Sequence, residues 1–235
     1  MPAEAQSVGG VNPAQSPGAA PAVPHGTNGV AKALTALREA VASRDNQSIV
    51  AAYQVLREAA LGMRIRDLIA MADDSLGQGV TETVLPAFSN LTCYMCSHGA
   101  IPCDLCEGTG VRNNHVCDHC DGLGFSTCTF CRGTGWTDRS IVPDEFKQAV
   151  IQRQGHICRQ EFREIRVLLK QVTPQTLSSL STERRRKLSV RLSRLQCRLH
   201  DVAEALPDDP HNAGMTAAAD FLERHLQMIR DSFTG

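Results

Sequence analysis

Aromatic residues are scarce in this 235-residue chain, with one Trp, two Tyr and seven Phe. Any core built from it is mostly Leu, Ile, Val and Ala. An excess of one charge sign is also missing: the formal net charge is −1, which argues against wholesale nucleic-acid binding. No run of about 18 apolar residues occurs, so no helical membrane span is expected. Residues 1–28 have no basic start, no apolar stretch and none of the arginines of a transit peptide, so no targeting segment is read there. They are rich in Ala, Pro, Gly and Ser, with Glu4 as the one charge, and a disordered tail is expected. No catalytic triad, paired-carboxylate arrangement or open metal site is recognisable, so no enzymatic activity is expected.

What the chain has instead is cysteine in a pattern. Eight of its ten cysteines form four Cys-x-x-Cys pairs within 39 residues: Cys93/Cys96, Cys103/Cys106, Cys117/Cys120 and Cys128/Cys131. Two cysteines three apart place both sulfurs on one metal across a tight turn. Two such turns complete a tetrahedron with no open position, so two zinc ions per chain are expected. The competing reading is four disulfides, which suits secreted chains. Without a secretory signal, and with knuckle spacing, metal is preferred, and reduced thiols place the chain in the cytoplasm.

Three pairs are followed by Gly-x-Gly at a fixed offset: Gly108/Gly110, Gly122/Gly124 and Gly133/Gly135. A knuckle bends sharply after its second cysteine, and backbone amides must approach the thiolates; glycine permits both. After Cys96 the order is Ser97-His98-Gly99-Ala100, so that glycine is out of register and a looser knuckle is predicted. These glycines follow knuckles rather than strands that open helices, so they are not phosphate loops. Between the second and third pairs, Asn113-Asn114 lies between short β-prone segments and reads as a hairpin turn. Such a hairpin sets Cys103/Cys106 against Cys117/Cys120 and leaves the outer pairs to share the other metal. Sequential pairing, first with second and third with fourth, is the alternative.

The repeated Cys-x-x-Cys-x-Gly-x-Gly resembles the central cysteine-rich domain of DnaJ chaperones, over residues 91–137. That resemblance implies four repeats holding two nested zincs and a role in binding protein clients; it also implies some thiol–disulfide activity. The gaps between repeats are shorter than in full-length DnaJ. The His-Pro-Asp tripeptide by which a J-domain stimulates its ATPase partner is missing; Leu206-Pro207-Asp208 comes nearest and lacks the histidine. The chain therefore resembles a stand-alone DnaJ-type zinc protein without a J-domain, and an Hsp70 partnership is not expected.

The flanks read as helices, giving a mainly α fold with an inserted β-hairpin zinc module: segments 29–90 and 138–235 on either side of 91–137, with the two flanks packing together and the module projecting. Val30, Leu34, Leu37 and Val41 repeat at helical spacing. A second helix follows Asp45-Asn46, with Ile49, Tyr53, Leu56 and Met63 on one face, Gly62 as an interruption and Ile65–Met71 as a continuation. Gly77 and Gly79 break the pattern, and residues 80–92 are read as a lead into the module. Beyond it, Pro143-Asp144-Glu145 has the form of a helix start, with Pro at the first position. Cys158, Phe162, Ile165, Leu169 and Val172 follow at helical spacing. Thr173-Pro174 ends that helix and begins a short one. Leu188, Leu192, Leu195, Leu199, Val202 and Leu206 form a seam that Pro207 stops, and Met215, Ala218, Leu222, Ile229 and Phe233 mark a last helix. The seam spans under three heptads, so an intramolecular bundle is preferred over a dimerising coiled coil, with a homodimer as the alternative.

Arg184-Arg185-Arg186-Lys187, with Arg191, Arg194 and Arg198, makes one helix strongly basic. A solvated face is the preferred reading and an acidic or nucleic-acid partner the alternative; cations at a helix N-terminus oppose its dipole, so the run is not there for helix stability. His98, His115 and His119 are surplus to eight cysteines and are expected at the surface, with His98 the natural substitute ligand if the first pair is defective. Cys158 and Cys197 are expected to be buried free thiols. Tyr94, Met95, Ile101, Leu105, Leu123, Phe125, Phe130 and Trp136 exceed what so small a module can bury, so they either meet the helices or serve a partner. The functional expectation is a zinc-held protein-binding module with chaperone or assembly-factor character; a thiol–disulfide oxidoreductase and a nucleic-acid-binding regulator are the alternatives.

Overall fold

Why the chain reverses after its first helix is visible at Asp45. Its carboxylate accepts the Ser48 amide at 2.8 Å and the Ser48 hydroxyl at 2.6 Å, an N-cap that starts a helix and so ends the previous turn. In the computed structural model, which describes residues 27–234, the helices on either side are α1 (Thr27–Ser43) and α2 (Asn46–Ala59). The expected tail lies outside the described residues, except that Thr27 and Asn28 open α1. Ile49, Tyr53 and Leu56 are buried as the periodicity requires. Met63 is not on that face: α2 stops at Ala59, Gly62 takes a φ of +91°, and Met63 stands exposed in the turn. Next comes α3 (Ile65–Leu76), closed by Gly77 in the left-handed conformation.

Residues 80–92 are not a plain lead. They form α4 (Val80–Asn90), with Val84, Ala87 and Phe88 buried and Pro86 inside the helix. Proline lacks the amide that would bond four residues back, and burial of this apolar face outweighs the loss.

The long α5 (Asp144–Leu169) has Pro143 as its N-cap and not as its first helical residue. At about 1.5 Å per residue it is about 39 Å long, and it spans two cores. Its first turns, with Phe146 and Val150, belong to the core of α1–α4, where Tyr53, Phe88 and Phe146 pack ring against ring. Its second half, with Cys158, Ile165 and Leu169, packs with α6 (Pro174–Ser179), α7 (Thr182–Ala205) and α8 (Asn212–Thr234). The flanks therefore meet at the start of α5 and otherwise keep separate cores. Leu192, Leu195, Leu199 and Val202 are fully buried against α5 and α8 within one chain, so the leucine seam is used by an intramolecular bundle. Gly155 lets α5 and α7 close up: a Cβ there would lie 3.1 Å from Val202 Cγ1. No helix among the described residues is long and apolar enough to cross a membrane.

Candidate metal centre

Residues 92–137 form one long hairpin folded about Asn113-Asn114. Both asparagines have positive φ, +51° and +63°, which makes the two-residue turn whose twist suits a hairpin. Around it β2 (Val111–Arg112) pairs with β3 (His115–Val116), and farther out β1 (Ala100–Pro102) pairs with β4 (Phe125–Thr127), all antiparallel. An isolated bridge between Thr92 and Trp136 closes the base. Each interval between paired segments carries a knuckle on either side, so the fold brings opposite knuckles face to face.

The result is two tetracysteine clusters, Cys103, Cys106, Cys117 and Cys120 inside and Cys93, Cys96, Cys128 and Cys131 outside, with the sulfurs of each within 4.8 Å of one another. This is the nested grouping, and the sequential one is not formed. Sulfurs tetrahedrally bound at about 2.3 Å from one metal stand about 3.8 Å apart. Cys106–Cys120 and Cys96–Cys131 are at 3.7 Å and Cys103–Cys117 at 4.0 Å, far from the roughly 2.05 Å of a disulfide. Each cluster can hold a tetrahedral metal ion, a geometry that suits zinc or iron.

Burial and backbone amides act on these thiols in opposite directions. Burial pushes the Cys120 thiol up to about 12. At Cys106 burial also opposes ionisation, yet the Gly110 amide and the neighbouring thiols outweigh it and bring the thiol down to about 7. Amides of Gly110, Gly124 and Gly135 donate to Cys106, Cys120 and Cys131 at 3.2–3.3 Å, the approach that the Gly-x-Gly spacing permits. The knuckles also interlock: a Cβ on Gly110 would run into the Gly122 carbonyl, and one on Gly99 into the Gly133 carbonyl.

The first knuckle differs as the shifted glycine requires. His98 and Gly99 have φ of +54° and +87°, and Ser97 and Ala100 exchange two backbone hydrogen bonds of 3.0 Å. The turn is thus closed, one residue later than in its siblings, and Cys96 is the one half-buried ligand among seven buried ones. The histidines are exposed. His98 faces Arg194 at 3.2 Å through Nδ1 and is not in the metal cluster. His119 lies with Asp104 beside Cys103, outside the four-sulfur set, and His115 stands in β3 away from both.

The module does not project; α7 holds it. Arg186 donates to the Thr109 carbonyl and, at 3.4 Å, to that of Gly122. Arg198 donates to the Thr134 carbonyl at 2.7 Å and lies 4.1 Å over the Trp136 ring. Burial lowers Arg198 to about 10, still cationic at neutral pH. Arg185 donates to the Ser232 hydroxyl at 3.1 Å and to the Ser232 carbonyl near the end of α8, where a cation suits the dipole. Glu161 of α5 accepts from Arg194 at 2.7 Å and lies 3.7 Å from Arg191 and Arg198. Much of the basic run therefore braces the module and the bundle. Nothing local in the sequence marks the braces of Arg186 and Arg198, because their partners are carbonyls 77 and 64 residues away.

Leu123 and Trp136 are buried in the second core, and Phe125 packs against it. Tyr94, Met95, Leu105 and Phe130 stay exposed, all between the two cysteines of a knuckle. Cys158 is fully buried, and burial pushes its thiol to about 12. Cys197, expected to be buried, is half-buried, its sulfur against the turn at Gly133. Compared with protein-family models, with curated proteins and with solved structures, the chain matches none, so the centre is defined by its own geometry.

Proposed function

We propose that the chain is a zinc protein whose DnaJ-type hairpin module binds unfolded or unassembled protein clients, with chaperone or assembly-factor character and no catalytic role. The observation that carries this reading is the pair Tyr94 and Phe130. Their rings lie 5.4 Å apart, edge to face, across the outer cluster. Tyr94 is 72% exposed, Met95 55% and Phe130 48%. One ring comes from the first knuckle and one from the fourth, so the metal that joins those knuckles also assembles the apolar face. Exposed apolar groups on a rigid frame suit a protein partner. Closed four-sulfur sites leave no position for substrate, and a reducing compartment such as the cytoplasm keeps the thiols available. The alternative nucleic-acid reading loses support from Arg185, Arg186, Arg194 and Arg198, which are engaged within the chain.

The test is suppression of aggregation of a heat-denatured reporter protein, followed by light scattering. The metal-loaded chain is expected to suppress it, and Tyr94→Ser with Phe130→Ser to lose most of that effect while keeping two metals. Equal suppression by the variant would remove the reading.

A further inference from the structure

On α5, two cations without a carboxylate partner border a cavity. Arg159 and Arg163, one turn apart, form no ion pair among the described residues, whereas Arg139, Arg194, Arg198 and Arg230 each have a carboxylate. Like charges at that spacing repel along a helix, so their natural complement is an anion. They line a cleft of about 560 Å³ between α5, α7 and the first turn of α8, together with His156 and His211. No acid lines it; Asp209, in the α7–α8 connection, is turned onto the His211 amide at 2.7 Å. The floor is apolar: Phe162, Leu199, Met215 and Ala218. Arg159 lies across that floor, its guanidinium 3.9 Å from the Met215 sulfur. In the first turn of α8 the Asn212 and Met215 amides are bonded to the carbonyls of Asp209 and His211 at 2.9 and 3.0 Å, which leaves those of Ala213 and Gly214; the Asn212 side chain does not cover them, because it donates to the carbonyls of Ala203 and Leu206.

We propose that this cleft is a binding site for a small organic anion, its phosphate or carboxylate head held by Arg159, Arg163 and the two histidines and its apolar body laid on Phe162 and Met215. The volume falls within the roughly 300–1,000 Å³ of small-molecule sites, and the planar guanidinium fork suits either head group. The site shares no residue with the Tyr94/Phe130 face, so either assignment can fail alone.

Phenyl phosphate is the probe, titrated into metal-loaded full-length protein and followed by amide chemical shifts, with inorganic phosphate, phenol and benzoate in parallel. The expected result is saturable shifts at residues 156–163 and 211–218. Phenyl phosphate should bind at least tenfold tighter than inorganic phosphate or phenol, because it alone engages head and floor together. Benzoate separates the head groups: tighter binding than phenyl phosphate assigns a carboxylate, weaker binding a phosphate. Arg159→Gln with Arg163→Gln should weaken the preferred probe at least tenfold, with metal content and melting temperature unchanged, since neither side chain has an internal ion pair to lose. Absence of saturable shifts, shifts confined to other regions, equal binding of inorganic phosphate, or unaltered binding by the variant would overturn the proposal. Should the variant fail to fold, the shift map of the unaltered protein still decides.

Discussion

At the scale of single residues, the glycines of the knuckles are the least replaceable positions outside the ligands. Gly110 has a φ of +73° and faces the Gly122 carbonyl, so an added Cβ meets both backbone strain and a clash. The left-handed conformation costs a side chain about 1–2 kcal/mol and the forced shift about 1–3 kcal/mol more. Gly110→Ala is therefore expected to weaken metal retention against a competing chelator by tenfold or more. Gly62→Ala is the control: its φ is +91°, but nothing lies within 4 Å, so it should lower stability by about 1 kcal/mol and leave metal retention unchanged. Equal effects of the two on metal would show that the interlock contributes nothing. A second residue-scale outcome concerns Cys158. Burial pushes its thiol to about 12, so at pH 8 only about one in ten thousand is thiolate. Iodoacetamide should leave Cys158 unlabelled in the native protein and label it on unfolding, read by peptide mass spectrometry.

Among the elements, α7 has two jobs: one face fills the bundle and the other holds the hairpin. Arg198 carries much of the second through the Thr134 carbonyl, the Trp136 ring and Glu161. Arg198→Ala is expected to cost about 2–4 kcal/mol, since a buried charge-assisted bond and a cation–π contact go together. Arg184→Ala, an exposed cation with no side-chain partner among the described residues, should stay within about 0.5 kcal/mol. Denaturant midpoints decide, and equal shifts would mean that the brace is idle. This division of labour also shows what the sequence could disclose. Knuckle spacing, Asn113-Asn114 and the leucine seam act through neighbours or through a period, so the two four-sulfur groups and the helical bundle were legible. The helix α4 was not, because Pro86 and the two preceding glycines mask an apolar set at 80, 84, 87 and 88 that only its packing on α5 rewards. The arginine braces were not legible either: what distinguishes Arg198 from Arg184 is the carbonyl of a distant turn, which no local pattern records.

For the whole molecule, the arrangement of cores determines what metal removal does. The first helical core takes no residue from the hairpin and the second takes Leu123 and Trp136 with Phe125 beside them, whereas the hairpin itself has only two- and three-residue strands and, apart from these contacts and the α7 arginines, is held by its sulfurs. A structural zinc contributes about 10–16 kcal/mol to such a module, more than these short ladders can replace. Chelation under reducing conditions is therefore expected to unfold residues 93–131 while most helical circular dichroism persists. The single Trp reports on it cleanly: Trp136 is 5% exposed at the base of the hairpin, so its emission should shift to the red as the module opens. Acid should produce the same shift, because bound thiolates take up protons on release and affinity falls as pH is lowered. Restoring zinc at neutral pH should reverse both. Trp136 emission that stays unchanged after the metal is verified to be gone would mean that the α7 brace, and not the metal, holds the hairpin together. The Tyr94/Phe130 face would then persist in the metal-free chain, and the client binding proposed for it would no longer depend on the ion.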